Sequence, residues 1–145
     1  MLETLRFFLR SWMYPRSPSP DPTQMEYDVK NVCSLAELDA CLSASAERPI
    51  LLFKHSTACP ISAEAFRQVG SYATQAGPDQ PEVYLVKVIE VRPVSNRIAD
   101  LLGVIHKSPQ LLLVKDNAAV WTTSHYGINL KSIQEALTKH LPARA

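Results

Sequence analysis

The sequence predicts an α/β domain: a central mixed sheet of four or five strands with helices on both faces. Three observations lead there. Apolar runs of strand length alternate with segments of helical periodicity, the pattern of parallel strands joined by helical crossovers. The helical segments open on start signals at Ser34, Pro60, Pro93 and Asn129. The last two strand-like runs, QLLLV and AVWTTSH, are joined only by a short turn at Asp116-Asn117, so the sheet closes with an antiparallel pair.

Each element follows in order. Tyr27 to Val32 reads as a short first strand. Ser34 caps the first helix, and Glu37 three residues later completes a capping box, with Cys33 and Leu38 at the flanking staple positions. This helix runs to about Glu47, with Leu35, Leu38, Cys41 and Leu42 on one face; Cys33 and Cys41 read as small buried hydrophobes. PILLFK, Pro49 to Lys54, is a strand buried on both faces. Pro60 starts a helix to about Gln75, with Ile61, Ala65, Phe66 and Val69 inward. Val83 to Glu90 is the next strand. The helix opened by Pro93 ends at Gly103, a C-cap. Pro109 stands before QLLLV, the hairpin follows, and Asn129 caps the last helix.

The organisation is one domain, residues 25–145, preceded by two additions. Residues 15–24 contain PRSPSPDPT, whose prolines exclude a helix or central strand and leave an extended linker. Residues 1–14, MLETLRFFLRSWMY, have apolar side chains at helical spacing but are broken by Arg6 and Arg10. They are shorter than the roughly 20 residues of a membrane span, and no small-residue cleavage site follows. The expectation is a short amphipathic helix that docks on the domain, self-associates, or rests weakly on a membrane surface.

Composition narrows the function. With 46% hydrophobic residues, 20% charged residues and a net charge of +1, the chain has no surplus of cations for nucleic acid. Three cysteines are too few for a disulfide scaffold and none has zinc-ligand spacing, so a reducing cytoplasm and no metal are expected.

The chemistry concentrates at FKHSTACPIS. Cys59 falls where a buried strand hands over to a helix, with Pro60 at the first helical position, which makes Cys59 the N-cap. A helix start presents backbone N–H groups and partial positive charge, and both favour a thiolate. Lys54 and His55 add positive potential if they face the sulfur, and are otherwise solvated surface groups. Thr57 and Ser62 are placed to donate hydrogen bonds to it. An inert capping role is the rival, although Ser, Asp or Asn caps better than Cys. Ser62 stands three residues after Cys59, where many redox proteins carry a second cysteine. Ser108-Pro109 precedes a strand directly; a cis bond there would leave the Ser108 backbone able to pair with an extended thiol ligand.

With these residues the chain resembles the thioredoxin-like superfamily. Through FKHSTACPIS, EVRPVSNRIADLLGV and HKSPQLLLVKDNAAVWTTSHYGI it is similar to the YtxJ-like monothiol bacilliredoxin family. The resemblance spans Val32 to Leu141; Ala58 and Gly127 depart from its pattern. It implies a thioredoxin-like fold with Pro109 as a cis-proline. It also implies a thiol–disulfide oxidoreductase that removes bacillithiol, a co-substrate and not a bound cofactor, from mixed disulfides on client proteins. Cys59 takes the attacking position, Ser62 that of the absent resolving cysteine, and Ser108-Pro109 the ligand-pairing loop. His125 and the stretch Arg92 to Asn96 match motifs without an assigned role. Two alternatives stay open: a non-catalytic or iron–sulfur-binding monothiol module, and a dithiol protein in which Cys41 or Cys33 resolves Cys59.

Overall fold

The computed structural model describes residues 27–142. The expected N-terminal helix and proline linker lie outside the described residues, as do residues 25 and 26.

Among the described residues, five strands and four helices follow the expected order: β1 (Val29–Asn31), α1 (Leu35–Ala44), β2 (Ile50–His55), α2 (Pro60–Gln75), β3 (Glu82–Lys87), α3 (Arg92–Leu102), β4 (Gln110–Lys115), β5 (Ala118–Ser124) and α4 (Leu130–His140), with a 3-10 turn at His125–Gly127. The sheet order is β1-β3-β2-β4-β5. β1, β3 and β2 run parallel, and β4 and β5 are antiparallel to their neighbours.

Strand periodicity sorts the core into two layers, because successive side chains point to opposite faces. Leu51 and Phe53 of β2 join Ala65, Phe66 and Val69 of α2 and Ile133 and Leu137 of α4 on one face. Ile50 and Leu52 join Leu38, Cys41 and Leu42 of α1 and Val94 and Ile98 of α3 on the other. β4 is buried on both faces: Leu111, Leu112, Leu113 and Val114 are all at 0% exposure. That explains its unbroken apolar run, each side chain contributing about 1.5–3 kcal/mol.

Local signals fix the element ends. Ser34 Oγ accepts from Glu37 N, and Glu37 accepts from Cys33 N, closing the expected box. Asn129 and Ser132 make a reciprocal box at the start of α4. Gly103 ends α3 at φ 62°, a conformation that costs glycine least. Asp116 and Asn117 turn the hairpin at φ 50° and 60°. Gly70 lies against the ring of Tyr27, where a Cβ would stand 2.5 Å from three ring carbons.

Several expectations need correction. α1 stops at Ala44, short of Glu47, where Ser45 Oγ bonds back to the Leu42 carbonyl. β3 ends at Lys87, short of Glu90, because the chain turns into α3 there, Val91 N donating to Lys87 O. Leu35 is exposed at the helix start and Ile61 only half-buried. Cys33 is exposed, since its backbone is held by Glu37 and its side chain turns outward; Cys41 is buried as expected.

Candidate functional site: a cysteine at the start of α2

β2 ends at His55, and four residues later Cys59 is the N-cap of α2 in an extended conformation. Its backbone N donates to Ser56 O at 3.3 Å and its carbonyl accepts from Ala63 N at 3.0 Å. The side chain caps nothing: no hydrogen bond joins it to the first turn, and Pro60 supplies no donor at the first helical position. The residue is partly exposed. A sulfur in this position is committed to no structural role at the positive end of a 16-residue helix.

The groups around it are placed differently from the sequence expectation. Ser62 is fully buried, and its Oγ lies 2.7 Å from His55 Nδ1 while accepting from Ser56 N at 2.9 Å. It ties the 56–58 loop to the core instead of donating to the sulfur. Thr57 Oγ1 donates to Glu90 Oε1 at 3.0 Å, pinning the same loop to the connection after β3. Glu90 and Ser56 are supporting residues that sequence reasoning missed; neither has a local pattern that marks it.

Lys54 and His55 are not solvated surface groups: they are 0% and 1% exposed. One strand position apart, they face opposite sides of the sheet. His55 clusters with Phe53 and Phe66, its ring centroid 5.6 and 5.0 Å from theirs and theirs 5.9 Å apart. Lys54 points to the α1/α3 face, and burial lowers its ammonium pKa to about 8. Its Nζ has no hydrogen-bond partner among the described residues.

The Ser108-Pro109 bond is cis. Lys54 pairs with Gln110 across the β2–β4 ladder, so the start of β4, with Pro109, lies at the same end of the sheet as the β2–α2 junction. His125, exposed and at φ 53°, donates its backbone N to Pro109 O at 3.1 Å. Its contribution here is the backbone that braces the cis-proline turn. Ser108 is half-buried, and its Oγ has no partner among the described residues. Gln110 Nε2 holds Ile105 O at 3.1 Å. Loss of solvent, then the charges of Lys54 and Arg92, keep the His106 imidazole below its usual range.

Neither other cysteine joins this site. Cys41 sits in the core layer under α1, on the sheet face away from α2, and burial pushes its thiol up to about 11. Cys33 lies in the β1–α1 connection. No helix among the described residues is long and apolar enough to cross a membrane.

Fold and site together define the class: a thioredoxin-fold protein with one cysteine at the start of the first helix after the central strand, and a cis-proline at the same end of the sheet. Solved structures carry the same architecture. A structure described as a candidate oxidoreductase with a thioredoxin fold superposes with a TM-score of 0.66 at 28% identity, covering 75% of this chain and 93% of its own. Thioredoxin from Fasciola hepatica gives 0.63 at 18% identity over 77% and 98%, and thioredoxin from Nicotiana alata 0.64 at 17% over 87% and 98%. These last two similarities speak for the fold alone. The particular family follows from the model described as monothiol bacilliredoxin BrxC, which matches residues 30–133. The chain belongs to the monothiol bacilliredoxin family.

Proposed function

We propose that the protein is a monothiol thiol–disulfide exchange protein that clears bacillithiol from mixed disulfides on client proteins. The observation that carries this reading is the pairing of a partly exposed, structurally uncommitted Cys59 with a buried serine at position 62. The Cys59 thiolate attacks the bacillithiol sulfur of the mixed disulfide. The client–sulfur bond breaks, the client leaves as its thiolate, and bacillithiol remains disulfide-bonded to Cys59. A second small thiol, as thiolate, then attacks this bond, leaving as a small-molecule disulfide and returning Cys59 to its thiolate. Electrons balance without a resolving cysteine, because the second thiol comes from solution.

The cis Ser108-Pro109 turn supports the reading, since it sets the chain at the start of β4 for pairing with an extended ligand. A dithiol route through Cys41 is disfavoured, because that thiol is buried under the opposite face and held protonated. A bacillithiolated client incubated with the protein, followed by intact mass, should lose the bacillithiol mass as Cys59 gains it. The Cys59→Ser variant should do neither; equal client release by that variant would refute the proposal.

A further inference from the structure

His55 takes no part in the exchange steps, yet a chain of three polar contacts joins it to Cys59. Its Nδ1 lies 2.7 Å from Ser62 Oγ, and that oxygen accepts from Ser56 N at 2.9 Å. The Ser56 carbonyl in turn accepts from Cys59 N at 3.3 Å. His55 and Ser62 are closed to solvent, at 1% and 0% exposure, so water does not compete for the bond between them.

The root of this chain is rigid. His55 is the last residue of β2, paired with Lys87 of β3, and its carbonyl accepts from Val88 N at 2.9 Å. Its ring packs against Phe53 and Phe66. Nδ1 is thereby aimed at the third residue of α2, which is Ser62. At 2.7 Å one proton lies between Nδ1 and Oγ, supplied by the hydroxyl or by the ring. In both cases a lone pair of the oxygen is left for Ser56 N–H. A helical serine without such a partner bonds back to a carbonyl of the preceding turn. That rotation would withdraw the oxygen from Ser56.

We propose that His55 is a positioning residue for Cys59: through Ser62 and Ser56 it holds the turn that keeps the sulfur at the start of α2. With the turn released, Cys59 leaves the N-cap, and its thiolate loses the backbone N–H groups and partial positive charge of the helix start. The consequence for client proteins rests on the exchange reading above; the hold on the turn does not.

Three full-length variants separate a hydrogen bond from packing. Asparagine places a polar atom at the reach of Nδ1 but is smaller than histidine. Glutamine places one a bond further out, and leucine fills the space with none. Packing alone would rank asparagine last, whereas the bond to Ser62 ranks it first. Alkylation of Cys59 by iodoacetamide at pH 7 is followed by peptide mass, on proteins shown to be folded by urea unfolding. The rate is expected to fall at least about fivefold in His55→Leu and His55→Gln, and to stay within about twofold of the parent in His55→Asn. Ser62→Ala is expected to match His55→Leu, and the two changes together to lose no more than either alone, because both cut the same chain. His55→Leu reacting at the parent's rate, His55→Asn as slow as His55→Leu, or additive losses in the double variant would each overturn the positioning role. Release of bacillithiol from a client should follow the same order. Release that ignores the order would overturn the role of His55 in exchange. No release by the parent would overturn the exchange reading itself, leaving alkylation as the test of His55.

Discussion

The two faces of the sheet at the end of β2 treat neighbouring residues in opposite ways. On the α2 face, His55 packs against the rings of Phe53 and Phe66 and is bonded to Ser62, which also secures Ser56. On the α3 face, Lys54 is buried equally deeply yet has no partner among the described residues. The comparison separates two uses of buried polarity. The Ser62 hydroxyl, bonded to both His55 Nδ1 and Ser56 N, fixes geometry, here the loop that carries Cys59; the Lys54 ammonium stores unfavourable energy that a change of protonation relieves.

The comparison breaks most severely at Phe66. This ring packs on both Phe53 and His55, so Phe66→Ala should destabilise the fold by about 3–5 kcal/mol. Urea unfolding reads this out, and a loss below 1 kcal/mol would show that the stack is dispensable.

The next effect is on the other face and depends on pH. The Lys54 pKa falls from 10.5 to about 8 on folding, so between those values the unfolded chain binds more protons than the folded one. Stability therefore rises with pH from about 8 to about 10.5, and the full penalty, at most on the order of 3 kcal/mol, is present below pH 8. Lys54→Met should be more stable than the parent at pH 7, by a margin that shrinks as pH rises. Measuring the margin against the variant cancels the contribution of Cys41, whose raised pKa acts in the opposite direction. A margin independent of pH would show that Lys54 is compensated.

A smaller effect sharpens the satisfied face. Ser62→Ala removes the oxygen that serves both Ser56 N and His55 Nδ1, and should cost about 1–3 kcal/mol in urea unfolding. Retained stability would make position 62 a mere vacancy for a cysteine. Smallest of all, Thr57→Val removes one exposed hydrogen bond to Glu90 and should stay within about 0.5 kcal/mol of the parent.

Much of this fold was legible because the deciding physics is local. Helix starts carry their own caps at Ser34, Pro60 and Asn129, and the buried run of β4 follows from its two-sided burial. The position of Cys59 at a strand–helix junction was readable for the same reason. The directions of side chains around it were not. Lys54 and His55 end an apolar strand, where polar residues ordinarily mark emergence into solvent; the packing of α3 and α2 over the strand end buries both. Ser62 and Thr57 were expected to serve the sulfur by nearness in sequence. Partners seven and 33 residues away in the chain, His55 and Glu90, take their hydroxyls instead. The outward turn of Cys33 follows from the Glu37 carboxylate holding its backbone, which the capping pattern names without giving a direction to the thiol.

Ser45, at the end of α1, accepts the backbone N–H of Asp116 on its carbonyl at 3.0 Å and that of Asn117 on its hydroxyl at 2.9 Å. The far end of β4 is thereby nailed to a helix, roughly 20 Å of extended chain from Pro109. A slip of one residue along that strand would carry the proline about 3.4 Å and turn Gln110 to the other face of the sheet. The hairpin thus works as a ruler, whose zero mark at Ser45 sets where Pro109 falls at its opposite end.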